Sequence, residues 1–328
     1  MSLSTPVALI IFNRPDLTEI VFEAIRQAKP QKLLVVADGP RSPEEAEKCD
    51  RTRAIIDRVD WDCQVLTNFS DTNLGSKYRI SSGLDWVFSQ VEEAIILEDD
   101  CLPSPSFFYF CQELLEKYRD DDRIMHIGGT NIQFGQSRTP YSYYFSKYAQ
   151  IWGWASWRRA WQNYDVEIAN WKEFKSSEII KSVHTNPYEQ RYWFDILERV
   201  YKKSLNTCWD YQWTYYCWSQ NGLSIIPEVN LISNIGFRAD ATHTTCIESH
   251  LAAIPVANIW KIEHPPFIIG HREADAYVFD RILGGNAMKK ADSAVGKLIG
   301  YLSKIKQKLK YLFTNPLEFS QSIKNKFI

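Results

Sequence analysis

The chain contains 328 residues, of which 45% are hydrophobic and 24% are charged, and this composition excludes disordered, fibrous and low-complexity proteins. Its formal net charge of −2 and pI near 6.3 exclude a nucleic-acid-binding protein that relies on bulk positive charge. The seven cysteines form no C-x-x-C pair and the N-terminus has no signal-peptide pattern, so we expect reduced thiols and a cytoplasmic protein. No apolar run reaches the roughly 18 residues that a membrane span needs.

The first hundred residues alternate between short apolar runs and amphipathic segments. The apolar runs predict strands at residues 7–12, 33–37, 64–68 and 94–97. Helical spacing of apolar side chains predicts helices at residues 17–28, 44–59 and 78–91. This order predicts an α/β fold with an open, mostly parallel sheet flanked by helices and right-handed crossovers.

The second half of the chain has a different composition. Nine tryptophans fall between residues 141 and 218, and we expect a Trp-rich subregion there. The residues from 289 to 312 carry seven lysines among regularly spaced apolar side chains, which predicts a basic amphipathic helix. Such a tail could attach to an anionic membrane surface, which would make the protein peripheral on the inner face of a membrane; the alternative is a solvated helix packed on the domain.

Polar residues follow each predicted strand, and the carboxyl ends of parallel strands share one edge of the sheet. We therefore expect four short segments to line one crevice: Asn13-Arg14, Asp38-Gly39, Asn73-Leu74-Gly75 and Glu98-Asp99-Asp100.

The acidic triplet Glu98-Asp99-Asp100 ends an apolar strand, where uncompensated carboxylates are costly. If the extended geometry persists, Glu98 and Asp100 point to one side and Asp99 to the other. Two carboxylates on one side suit a hard divalent cation such as Mn²⁺ or Mg²⁺, whose shell is completed by water and substrate phosphates. The alternative is a solvated strand end or a helix cap before Pro103.

The chain lacks the G-x-G-x-x-G and P-loop motifs, so side chains and a metal would have to bind a nucleotide diphosphate. Asp38 can accept a hydrogen bond from a base or ribose, and Arg14 can approach a base or phosphate. Lys77 or Arg79 could stabilise charge on a departing diphosphate. For each of these residues, a plain structural role in a turn is the alternative.

Asp210 lies between aromatic residues in Cys208-Trp209-Asp210-Tyr211-Gln212-Trp213, where desolvation would raise its pKa and make it a better base. The alternative is a helical aromatic face in the core with Asp210 as a cap. His243 lies in a polar loop where it could contact a phosphate or a metal.

These segments form an ordered series together with four others, which are Gly153-Trp154 with Trp161, Trp209-Asp210-x-x-Trp213, Pro227-Glu228, and Gly236-Phe237 through His243. The series resembles GT-A-type glycosyltransferases, in particular the Golgi N-acetylglucosaminyltransferases that act on mannose, over roughly residues 5 to 245. The resemblance implies a nucleotide-diphospho-sugar transferase (GT-A) fold over residues 1–245, with a nucleotide-binding half at 1–135 and an acceptor-side half at 136–245. Residues 246–288 would be a C-terminal extension and residues 289–328 the basic tail.

The resemblance also implies roles for individual residues. Asp210 would be the general base, Asp100 would hold the metal and His243 would lie by the diphosphate and the metal. The nucleotide-sugar site would comprise Asn13, Arg14, Asp38, Asn73, Lys77, Arg79, Glu98, Asp99 and Trp154. Within that site Arg14 and Asp38 would contact the base, Asp99 the ribose and Glu98 the donor sugar.

The implied reaction is metal-dependent transfer, with inversion, of a sugar from a nucleoside-diphosphate sugar, a UDP-sugar being favoured. The acceptor would be a glycan or lipid-linked hydroxyl in polysaccharide biosynthesis, and no nucleic acid would be involved. Because the chain has no signal anchor, it resembles a bacterial cytoplasmic member of this class. One alternative is a non-catalytic carbohydrate-binding protein with a divalent-cation site. A sugar-nucleotide pyrophosphorylase is a second alternative, but the chain has no glycine-rich, Arg-containing opening loop of that kind.

Overall fold

Strands and helices alternate through the N-terminal part of the computed structural model, which describes residues 3–238, 249–294, 296 and 302. The elements here are β1 (Val7–Ile11), α1 (Pro15–Ala28), β2 (Lys32–Ala37), α2 (Pro43–Ala54), a 3-10 turn (Ile55–Arg58), β3 (Gln64–Phe69), α3 (Gly75–Gln90) and β4 (Glu93–Glu98). The predicted strands are all present. The predicted helix at residues 44–59 is shorter than expected, because it ends at Ala54 and tightens into the 3-10 turn.

Shorter elements follow β4. They are β5 (Cys101–Pro103), α4 (Pro105–Lys117), β6 (Ile124–Gly128), β7 (Tyr143–Ser146), β8 (Trp154–Trp157), α5 (Arg158–Trp161), α6 (Trp171–Ser176), α7 (Ile180–Val183), α8 (Pro187–Tyr201), α9 (Asp210–Ser219), β9 (Leu223–Pro227), β10 (Ile232–Asn234), α10 (Arg272–Arg281) and α11 (Gly285–Asp292). Most of the predicted basic tail and His243 lie outside the described residues.

Eight strands of the described chain form one sheet in the order β3-β2-β1-β4-β8-β6-β9-β7. Strands β1 to β4 pair in parallel with one another, with Leu9 of β1 paired to Val35 of β2 and Leu97 of β4. Strand β8 is antiparallel to both β4 and β6, and β7 is antiparallel to β9. The expected α/β class, with an open and mostly parallel sheet flanked by helices, is confirmed.

Burial on both faces explains the continuous apolar runs of β1 and β2. Helix α1 covers one face with a stripe that includes Val21, Phe22 and Ile25. Helix α3 covers the other face with Ile80 and Leu84. The central strands are therefore fixed from both sides, and their carboxyl ends are held in a rigid edge.

The Trp-rich subregion forms hydrophobic cores. Trp154, Trp161, Trp209 and Trp213 pack together beneath the edge of the sheet, and all four are buried. Trp171, Trp193 and Trp218 belong to a separate cluster with α8. The alternative reading of the aromatic face of α9, as a face that packs in the core, is what the structure shows for Trp209 and Trp213.

Within the described residues, no helix is both long enough and apolar enough to cross a membrane.

Candidate active site

An arginine bridges two acids at the carboxyl ends of β1 and β4. Arg14, which follows β1, forms a bidentate ion pair with Asp99, and its Nη1 atom is also 3.0 Å from Oδ2 of Asp100. The alternation of side chains expected for residues 98–100 does not occur. Strand β4 ends at Glu98 and the next two residues form a turn, which brings both aspartates to the same guanidinium.

Carboxylates are crowded at this point, and burial makes the crowding costly. Burial, with help from Asp100 and Asp99, raises the pKa of Glu98 to about 8. Burial also raises the pKa of Asp99 to about 6, although the Arg14 charge opposes that rise. For Arg14, burial lowers the pKa, but the neighbouring carboxylates outweigh it and hold the pKa above its ordinary value. When Glu98, Asp99 and Asp100 are all ionised, the cluster carries more negative charge than one guanidinium neutralises.

Asp210 is the first residue of α9. Its carboxylate is one of the charges that raise the pKa of Glu98, and it also raises the pKa of Tyr164 and Tyr211. The structure thus brings Asp210 into electrostatic contact with the acidic cluster. Trp209, the preceding residue, is stacked on Trp154 with ring centroids 5.7 Å apart.

A glycine lies against the Asp100 carboxylate. The antiparallel pairing of β10 with β5 carries the chain back over the turn, and the Ile235 amide donates to the Asp100 carbonyl at 2.9 Å. A Cβ atom at Gly236 would overlap the carboxylate of Asp100, so any larger residue would displace it. The next side chain, Phe237, packs edge-on against Trp152 with centroids 5.6 Å apart.

Asp38 and Asn73 join the end of β2 to the start of α3. The Asp38 carboxylate accepts hydrogen bonds from the amides of Gly39, Leu74 and Gly75 at 2.9 to 3.0 Å and from Nδ2 of Asn73 at 3.0 Å. Four donors fill the acceptor capacity of one carboxylate. Asp38 therefore acts as a structural tie in this arrangement, and contact with a nucleotide base would have to replace one of these bonds.

The side chains of Lys77 and Arg79 contact groups outside the acidic cluster. Lys77 is buried and pairs with Glu167 at 3.0 Å. Arg79 donates to the carbonyls of Ala37, at 3.1 Å, and Asn68, at the ends of β2 and β3. Within the described residues, no contact joins either cation to the acids that follow β4, so Arg14 is the cation the structure places there.

Asn13 and Trp154 also have structural partners. Nδ2 of Asn13 donates to Glu45 at 3.0 Å. Trp154 is 1% exposed and packs between His126 and Trp209, so it lies behind the site and offers no open face to a ligand.

Two residues that the sequence did not single out are central to this region. Glu167 is the partner of Lys77, and Tyr164 donates a hydrogen bond to the carbonyl of Trp209 at 3.0 Å. A buried lysine always needs an acceptor, but the sequence does not indicate which acid supplies it.

The charge and donor set fit a hard divalent cation. In the part of the chain that the structure describes, no three His, Cys, Asp or Glu side chains are arranged to hold a metal ion. Mg²⁺-type sites need only one or two protein carboxylates when phosphate and water complete the shell. Asp100 offers such an oxygen, next to Glu98 and Asp99, whose pKa values are raised mainly by burial.

No family model and no curated protein matches the sequence. Among solved structures, the chain is similar to a 4-diphosphocytidyl-2C-methyl-D-erythritol synthase from Anaerococcus prevotii, with 13% identity and a TM-score of 0.30 over 58% of this chain and 84% of that one. It is also similar to a UDP-glucose pyrophosphorylase complexed with UDP-glucose, with 10% identity and a TM-score of 0.26 over 48% of this chain and 71% of that one. The functional argument therefore rests on the residues of the chain itself.

Proposed function

We propose that the protein is a metal-dependent glycosyltransferase that moves a sugar from a nucleoside-diphosphate sugar to an acceptor hydroxyl, with inversion at the anomeric carbon. One observation carries this proposal. At the carboxyl edge of a parallel sheet, Arg14 and the acids Glu98, Asp99 and Asp100 lie together, and the charge of Asp210 at the start of α9 contributes to the raised pKa of Glu98. Ligand sites of open α/β sheets lie at this edge.

The excess of carboxylates over cations favours a metal-bound diphosphate as ligand. Asp100 would hold Mn²⁺ or Mg²⁺, with His243 as a second candidate ligand on the sequence pattern alone. When bound, the cation would supply positive charge to the diphosphate. Arg14, which pairs with Asp99 and Asp100, would share its charge between these acids and an incoming phosphate.

Asp210 is proposed as the general base. It would take the proton of the acceptor hydroxyl while that oxygen forms a bond to the anomeric carbon. The bond from that carbon to the diphosphate would break with its electron pair moving to the phosphate oxygen. Attack from the face opposite the leaving group inverts the configuration. A carboxylate among aromatic side chains is partly desolvated, which favours the protonated product of this transfer.

The substrate classes follow the same proposal. The donor would be a UDP-sugar and the acceptor a glycan or a lipid-linked sugar. The lysine-rich sequence from residue 289 is the basis for proposing a peripheral position on an anionic membrane surface. A non-catalytic carbohydrate-binding protein would need neither the nucleotide nor the base, and the experiment below separates the two.

The first experiment measures binding. Thermal-shift and calorimetric titrations with UDP, GDP and their sugars, with and without Mn²⁺, should show a stabilisation that needs the metal. Complete absence of metal-dependent nucleotide binding by folded protein would contradict the proposal.

The second experiment tests the base. Asp210→Asn should lower sugar transfer by about 10² to 10⁴-fold and leave the affinity for UDP with Mn²⁺ unchanged. Asp195→Asn is the control, because it makes the same substitution at an exposed aspartate of α8, whose Oδ2 lies 3.8 Å from Nη1 of Arg199. Full transfer activity in Asp210→Asn would show that the base is assigned wrongly.

A further inference from the structure

The carbonyl of Trp209 accepts two hydrogen bonds. One comes from the amide of Trp213 at 3.3 Å and is the first helical bond of α9. The other comes from the hydroxyl of Tyr164 at 3.0 Å. This carbonyl belongs to the peptide unit that ends at the Cα atom of Asp210. Because a peptide unit is planar, the direction of the carbonyl fixes the position of the Asp210 amide and Cα atoms.

Tyr164 is itself held from two sides. Its ring stacks on Trp161 with centroids 4.2 Å apart and an interplanar angle of 19°. Its hydroxyl is 3.3 Å from Oγ of Ser81 in α3. Trp161 is anchored to the same helix, because its Nε1 atom donates to Asp85. The position of the Tyr164 hydroxyl is therefore set by α3.

Two further contacts tie the loop around Tyr164 to its neighbours. Nε2 of Gln212 donates to the carbonyls of Cys208, at 2.8 Å, and Val166, at 3.2 Å. Lys77 of α3 pairs with Glu167 in the same loop. This loop therefore links α3 to Cys208 and Gln212, which lie on either side of Asp210 in the sequence.

We propose that Tyr164 is a positioning residue for Asp210 and acts through the Trp209 carbonyl. This inference rests on the proposed role of Asp210 as the base. Without the hydroxyl, the Trp209 carbonyl would lose the shorter of these two bonds, and the first residue of α9 would gain rotational freedom. If a general base is displaced by a fraction of an ångström, substrate binding is retained but the base accepts the proton less efficiently.

Tyr164 stays a donor throughout the range in which such an enzyme would be assayed. Burial raises its pKa, and the Asp210 carboxylate raises it further. Removal of the hydroxyl therefore changes geometry without a change of charge at the site.

The test compares two tyrosine-to-phenylalanine variants. Tyr164→Phe should lower kcat by about tenfold and leave KM for the donor and the affinity for UDP with Mn²⁺ unchanged. Tyr215→Phe is the matched control, because Tyr215 lies in α9 with Asp210 and its hydroxyl donates to Asn170 at 2.8 Å. Release of UDP from UDP-glucose, UDP-galactose and UDP-N-acetylglucosamine would be followed, with methyl α-mannoside as the acceptor probe. Equal kcat values for the two variants would overturn the inference.

A double-mutant cycle makes the test specific. If Tyr164 acts through Asp210, then Tyr164→Phe has no further effect on the residual rate of Asp210→Asn. If the rate of the double variant is instead lowered by the product of the two single-variant factors, the positioning role is overturned. Failure of the wild-type protein to transfer any sugar would instead overturn the proposed function.

Discussion

Removal of Arg14 tests the electrostatics of the site most directly. In Arg14→Gln, the Asp99 carboxylate, whose side chain is 3% exposed, would lose its bidentate partner. Breaking a buried ion pair costs several kcal/mol because one charge is left without compensation. Arg14 itself is 22% exposed, which lets water reach the vacated position. We therefore expect a loss of about 3 kcal/mol in the free energy of unfolding, at the low end of the range for buried pairs.

The chain offers a matched control at its surface. Arg26 forms a similar bidentate pair with Asp60, but both side chains are about half exposed. Arg26→Gln should destabilise the protein much less, because water already screens both charges. Urea denaturation of both variants at pH 7.5 measures the difference. If Arg14→Gln is no more destabilised than Arg26→Gln, burial of the site does not govern its energetics.

The same variant tests the proposed cation site. Without Arg14, the acidic cluster has a larger deficit of positive charge, so excess Mn²⁺ should raise the melting temperature of Arg14→Gln more than that of the wild type. Asp99→Asn in the Arg14→Gln background removes the unpaired charge and should restore part of the lost stability. No restoration would mean that Arg14 stabilises the fold by packing and not by charge.

Two further predictions concern single carboxylates. Asp100→Ala should weaken binding of UDP in the presence of Mn²⁺ by at least tenfold with little effect in its absence; unchanged metal-dependent affinity in calorimetry would remove Asp100 from the metal site. The Asp275 carboxylate accepts a hydrogen bond from Ser146 at 2.5 Å, and burial raises its pKa to about 6. The folded state therefore binds this proton more tightly than the unfolded state does. The resulting contribution to stability is lost as the pH rises through 6. Between pH 5 and pH 7.5 the loss is about 1 kcal/mol, and the pH dependence of unfolding by urea should be flatter by about that amount in Asp275→Asn. The same slope in both proteins would contradict the burial argument.

The central strands and α1 were predictable because the pattern of apolar residues within each segment shows which of its faces are buried. A strand covered on both faces is a continuous apolar run, and β1 and β2 have that pattern. The end of α2 was not predictable. The helix tightens into a 3-10 turn where Ile55 and Ile56 enter the core, and the periodicity of apolar residues does not distinguish an α-helix from a 3-10 helix.

Parts of the site depend on contacts between distant segments. The acidic triplet was recognisable as an unusual strand end, but its geometry depends on the turn at residues 99–100 and on the pairing of β5 with β10, more than 120 residues later. The partner of Lys77 was equally hidden, because Glu167 lies 90 positions away. Asp38 was noticed for its position, whereas its four hydrogen bonds depend on how α3 begins.

The tryptophan cluster beneath the site has a spectroscopic consequence. Trp154, Trp161, Trp209 and Trp213 have ring centroids between 5.1 and 6.3 Å apart, in the solvent-excluded interior. Indoles at such spacing in a fixed asymmetric arrangement dominate the near-ultraviolet circular dichroism of a protein, which disappears when tertiary packing loosens. Because Trp209 immediately precedes Asp210, a loss of order at the start of α9 would change this circular dichroism signal. The change can be measured without substrate.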